Sequence, residues 1–77
     1  MASNLVRLAD IREAASSGQA RRLRLAAGLS LGEIARELGV SVPTVLRWET
    51  GERRPRGGAA LRYGELLEEL IERSDDS

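Results

Sequence analysis

Residues 30–51 read SLGEIARELGVSVPTVLRWETG, a stretch that spells out two helix starts and two helix stops. Ser30 precedes Glu33 by three positions, the spacing of a capping box, in which a hydroxyl accepts from a free amide and the glutamate returns the bond. Leu31, Ile34, Ala35 and Leu38 then recur at intervals of three and four, which gives one apolar helical face. Gly39 follows where a left-handed residue closes a helix. Ser41 opens a second helix as its N-cap, and Pro43 sits in the first turn, where its missing amide hydrogen leaves no bond unmade. That helix runs through Val45, Leu46, Arg47, Trp48 and Glu49 to Thr50, and Gly51 ends it. Two short helices joined by a tight glycine turn form a compact αα unit.

Helical signals continue on both sides. Gln19 to Ala27 reads as a helix with Ala20, Leu23, Leu25 and Ala27 turned inward, stopped by Gly28. Asn4 to Ala15 reads as a leading helix carrying Leu5, Leu8, Ala9 and Ile11, broken by Ser16-Ser17-Gly18. Ser16 and Gln19 repeat the spacing of a capping box for the following helix. The leading helix has a modest apolar stripe, so both a docked helix and a loose arm are open for it. Downstream, residues 52–58 form a polar loop with three arginines. Ala59 to Arg73 reads as one long helix, with Leu66, Leu67, Leu70 and Ile71 on one face and Glu65, Glu68, Glu69 and Glu72 on the other. Residues 74–77 read as a frayed tail. No stretch alternates with period two, and the expectation is an all-α fold: a small helical bundle with a long C-terminal helix.

Composition narrows the function. The 77 residues contain neither cysteine nor histidine. Disulfides and thiolate sites are thereby excluded, along with the commonest general base and the commonest zinc ligand. A chain this short has a thin core and little room for a deep cleft, so no enzymatic activity, cofactor or metal is expected. No apolar run approaches the ~20 residues of a membrane span, and the N-terminus lacks a signal-peptide pattern, so a soluble cytoplasmic protein is expected. The net charge is zero, but it is unevenly placed. Residues 1–62 hold eleven arginines against six acids, a net of +5, while residues 63–77 hold one arginine against six acids, a net of −5. Such asymmetry points to an anionic partner for the body and not for the tail. All twelve basic residues are arginine, whose planar fork suits phosphates and guanine edges, although codon bias produces the same composition.

The stretch Ala20 to Pro55, ARRLRLAAGLSLGEIARELGVSVPTVLRWETGERRP, resembles the Cro and phage-repressor helix-turn-helix family of the xenobiotic-response-element type. The resemblance rests on Gly28-Leu29-Ser30-Leu31, Glu33-Ile34-Ala35, Leu38-Gly39-Val40-Ser41, Thr44-Val45, Trp48-Glu49-Thr50-Gly51 and Arg53-Arg54-Pro55, in that order and spacing. It implies that Ala35 is small where two helices cross, that Gly39 makes the turn, and that Val45 and Trp48 press the second helix onto the first. Carried over, it makes Val42, Pro43, Thr44 and Arg47 the candidates for base contact, with Arg47 best suited to guanine. It makes Ser30, Leu31, Ser41, Arg53, Arg54 and Arg56 the candidates for contact with the DNA backbone. Arg24 and Glu49 occupy positions that pair as an internal salt bridge in some relatives. Two departures stand out. Many relatives carry hydrogen-bonding side chains where this chain has Leu31, Val42 and Pro43, and the family usually ends in two short helices where one long acidic helix is expected here.

The organisation this implies is an N-terminal helix or arm (1–18), a helix-turn-helix DNA-binding core (19–58), and an acidic C-terminal helix and tail (59–77). Leu66, Leu67, Leu70 and Ile71 are read either as core or as a homodimer interface. The implied function is a sequence-specific regulator of transcription that binds double-stranded DNA, a repressor or Cro-like protein acting by operator occupancy. The competing reading is a protein-interaction module, such as an antitoxin that binds a partner protein through its terminal helices.

Overall fold

The computed structural model describes residues 3–75, and among them every regular element is helical. The order is α1 (Asn4–Ser16), α2 (Gln19–Ala26), α3 (Leu31–Leu38), α4 (Val42–Thr50) and α5 (Gly57–Asp75). The expected small all-α bundle with a long C-terminal helix is what forms. No helix in the described residues is long and apolar enough to cross a membrane.

The core is a single cluster to which all five helices contribute. Ile11 and Ala15 come from α1, Ala20 from α2, Ile34, Ala35 and Leu38 from α3, Val45 and Trp48 from α4, and Tyr63, Leu67 and Leu70 from α5. The leading helix is therefore docked, packed on α5, α2 and α4. Only its second half takes part: Leu5 and Val6, in the first turn after the Ser3 N-cap, stay exposed. Gly64 explains how α1 and α5 approach so closely, since a Cβ there would lie 2.5 Å from Ile11 Cδ1. Glycine inside a helix costs roughly 0.5–1 kcal/mol against alanine, and here it makes room for a buried isoleucine.

Four local expectations are corrected. Ser16 is the last residue of α1 and makes no capping box with Gln19. Gly18 occupies the N-cap of α2 at φ 90° without a side-chain cap, and Ser17 Oγ accepts from the Gln19 amide at 3.4 Å. A link of two residues between helices requires a left-handed turn that glycine takes without strain. Leu25 is half exposed and does not face inward, because Ala20, Leu23 and Arg24 occupy the inner side of α2. α5 begins two residues earlier than Ala59, at a left-handed Gly57, and extends to Asp75. Its inner stripe is Ala60, Tyr63, Gly64, Leu67 and Leu70. Of the four residues read as its apolar face, Leu67 and Leu70 are core, Leu66 is partly buried against the core, and Ile71 is exposed.

Tyr63 gives the fold a distinctive alkaline limit. It is 2% exposed, with its ring centroid 5.0 Å from that of Trp48. Burial, and secondarily the Glu49 carboxylate, push its pKa up to about 12, against the opposing pull of Arg24. The unfolded chain ionises near the ordinary tyrosine value of ~10. The native state therefore holds the proton longer. Its contribution is intact below about pH 10 and is lost as pH rises towards 12, roughly 2–3 kcal/mol in all. The chain has no lysine, cysteine or histidine and a single tyrosine, so no other side-chain type titrates in this window. Denaturant titrations at pH 9 and 11.5 should show this loss in the wild type and a nearly flat response in Tyr63→Phe. Equal losses in both would remove the phenol as the cause.

Candidate nucleic-acid interface

The site is built on α3 and α4 and the turn between them. Ser30 Oγ accepts from the Glu33 amide at 3.0 Å, and Glu33 Oε1 accepts from the Ser30 amide at 2.9 Å. The backbone bond from Ser30, followed by the one to its hydroxyl, holds the Glu33 carboxyl below its ordinary range. Gly39 closes α3 at φ 72°, and the Val40 amide returns to the Ala35 carbonyl at 3.0 Å. Ser41 caps α4 by accepting from the Thr44 amide at 3.3 Å, and the Ser41 and Thr44 hydroxyls lie 2.8 Å apart. Pro43 sits in the first turn of α4.

This local geometry sets which way α4 faces. Val45, Trp48 and Glu49 are buried against the rest of the molecule. Val42, Pro43, Leu46 and Arg47 are exposed, and Thr44 is half-buried. Ala35 is buried on the inner face of α3, and α3 and α4 pack on each other. The four candidate base-reading residues thus share the free surface at one side of α4. Among the backbone candidates, Ser30 and Ser41 are exposed and Leu31 is half-buried at the start of α3. The two serine hydroxyls accept helix-capping bonds, and each also has a polar neighbour, the Glu33 carboxylate for Ser30 and Thr44 Oγ1 for Ser41.

Arg24 and Glu49 set the position of α4 against α2. Arg24 Nε donates to Glu49 Oε2 at 2.7 Å and its Nη2 to Oε1 at 2.9 Å, a two-pronged pair. Its Nη1 donates to the Leu29 carbonyl at 3.0 Å, tying in the turn before α3. The side chains are only 10% and 3% exposed. The bond to Glu49 raises the Arg24 pKa further, against the effect of burial. A second strut comes from α5, where Arg62 Nη2 donates to the Leu38 carbonyl at 3.0 Å. That bond satisfies a carbonyl at the C-terminal end of α3, the end that favours a cation.

The loop after α4 is anchored at both ends. The Arg53 amide donates to the Arg47 carbonyl at 3.1 Å, and Pro55 is fully buried. Arg53, Arg54 and Arg56 are exposed on this anchored loop. Together with Thr44 and Arg47 they line a groove that runs between α4, the loop and the start of α5. Arg47 also lies 3.9 Å from Glu52, an exposed and weakly held pair. Sequence reasoning passed over Pro55 as an anchor and Arg62 as a strut. The first carried a signal, an apolar ring in a basic loop, whereas the arginine looked like any other surface charge.

Residues 17–72 match the helix-turn-helix domain family. No curated protein and no solved structure matches the chain. The match covers most of the sequence and contains α2, α3, α4 and the greater part of α5, so the whole of the geometry just described falls within it, and the chain belongs to the helix-turn-helix domain family, a class of domain with which regulators bind DNA.

Proposed function

We propose that this protein is a sequence-specific double-stranded DNA-binding regulator of transcription, a repressor or Cro-like protein that occupies an operator and excludes polymerase. The observation that carries the reading is the free side of α4, where Val42, Pro43 and Arg47 are exposed and Thr44 half-buried beside three exposed loop arginines. In this reading α4 lies in the major groove. Arg47 reads guanine, Thr44 and the short apolar residues Val42 and Pro43 touch base edges and thymine methyls, and Ser30, Leu31, Ser41, Arg53, Arg54 and Arg56 hold phosphates. Few of these side chains carry hydrogen-bonding groups, so part of the selectivity comes from the shape and deformability of the site. The acidic face of α5 points away from the duplex, since like charge repels it.

Selection of bound sites from random duplex DNA tests the proposal. Enrichment of a guanine-containing motif is expected. Arg47→Ala should then lose ~1–3 kcal/mol of discrimination at a single base position. Its melting temperature should stay unchanged, because Arg47 is exposed and pairs only loosely with Glu52. A selected motif that the alanine variant reads equally well would sink the assignment of Arg47. If two copies bind, the motif should be a palindrome with half-sites ~34–36 Å apart.

The second reading, a module that binds a protein partner through its terminal helices, is favoured by Leu5 and Val6, which α1 leaves 78% and 51% exposed. Salt separates the two. Binding by several arginines to DNA falls by ~0.9 log units per phosphate for each log unit of salt, whereas tight protein pairing with a flat salt response supports the alternative.

A further inference from the structure

The leading helix lies wholly outside the family match, yet it is built against the arginine loop. Arg12 Nε donates to the Pro55 carbonyl at 2.9 Å across 43 residues of sequence. A guanidinium has five N–H donors, so this bond leaves the four on its terminal nitrogens uncommitted. Among the described residues no ion pair engages them. Arg12, Arg53 and Arg54 line a second groove, between α1 and the loop, floored in part by Trp48. Arg53, Arg54 and Trp48 also line the groove that contains Thr44 and Arg47. The two grooves adjoin at these shared residues, so arginines border the surface from α4 across the loop to α1. Glu13 is the one carboxylate on the second groove, and no ion pair joins it to these arginines among the described residues.

We propose that α1 extends the DNA-binding surface beyond the helix-turn-helix: Arg12, fixed by the Pro55 carbonyl, binds a backbone phosphate next to those held by Arg53 and Arg54. A guanidinium whose Nε is already bonded is held in one orientation, and its two remaining nitrogens match the spacing of two phosphate oxygens. The contact carries no base information. It lengthens the footprint by one phosphate and sets the angle at which the domain lies on the duplex.

This inference rests on the DNA-binding reading, and its test separates the two. The full chain first selects a duplex from a random pool. Binding of wild type, Arg12→Gln and Arg12→Lys is then measured over a salt series, with phosphate-ethylation interference on the same duplex. Arg12→Gln should lower the salt slope by ~0.9, weaken all sequences alike, and erase interference at one edge phosphate while those of the loop remain. Arg12→Lys keeps the charge and should keep both the slope and that phosphate. An unchanged slope and footprint in Arg12→Gln overturns the proposal and leaves DNA binding standing. Joint loss of the loop phosphates, or a lysine variant as deficient as the glutamine one, also overturns it, because Arg12 then acts only by propping the loop. If the wild type selects no duplex, the DNA reading falls and this contact with it.

Discussion

Replacing Glu49 with alanine is expected to destabilise the protein by about 3–5 kcal/mol, the usual cost of stripping one partner from a buried ion pair. The remaining Arg24 guanidinium would be left 10% exposed, with the Leu29 carbonyl as its one surviving partner. A domain of this length has a total stability of only roughly 4–12 kcal/mol. The variant should therefore melt more than ~10 °C below the wild type, and at the upper end of the range it would be largely unfolded at 37 °C. The informative control is the double variant Arg24→Met/Glu49→Leu, in which both charges give way to apolar side chains. Buried ion pairs replaced in this way are often neutral or stabilising, so the double variant should recover most of the loss. A glutamate deletion that costs under ~1 kcal/mol by chemical denaturation would mean that water reaches the pair and that it does not fix α4. Because the same pair joins α2, α4 and the turn before α3, its integrity also governs how far the free side of α4 projects.

Trp48→Ala is expected to cost a similar ~3–5 kcal/mol, the scale for emptying a core aromatic site. Trp48 is 5% exposed and packs at 32° to the Tyr63 ring, so its removal opens a void and unsupports the tyrosine. It also lines both basic grooves, and the loss should reach binding through the loop above it. Circular dichroism on heating is the appropriate readout, because the change removes the only tryptophan. Unchanged thermal stability would place the indole at the surface, free to stack on a nucleic-acid base. Trp48→Phe should lose markedly less, since a smaller aromatic ring fills part of the same space.

Much of the α3–α4 unit was legible in residues 30–51 because its determinants are local. A hydroxyl and a carboxylate three residues apart, a glycine at each stop and an apolar spacing of three and four define helix ends and inner faces without reference to any distant residue. The family resemblance then implies that Val45 and Trp48 turn in while Val42, Pro43 and Arg47 turn out. The same reasoning misjudged Leu25, which stands half exposed, and local pattern gave no sign that Arg24 turns in; the family resemblance alone paired it with Glu49. Arginine becomes an inward residue only when Glu49, 25 positions later, is brought to it.

The sequence by itself determined that the chain is helical, where α3 and α4 begin and end, which side of α4 is apolar, and that positive charge gathers before residue 63. The tertiary structure alone decided that α1 is docked, that Arg12 reaches Pro55, and that α5 turns Tyr63, Leu67 and Leu70 inward while Ile71 stays out. The reason is the range of the forces involved. Capping and amphipathic spacing act within a turn or two of backbone and leave a periodic trace in the chain. The burial of a charge, or the close seating of Ile11 on a helical glycine, depends on which distant groups meet, and that information is spread over the whole fold.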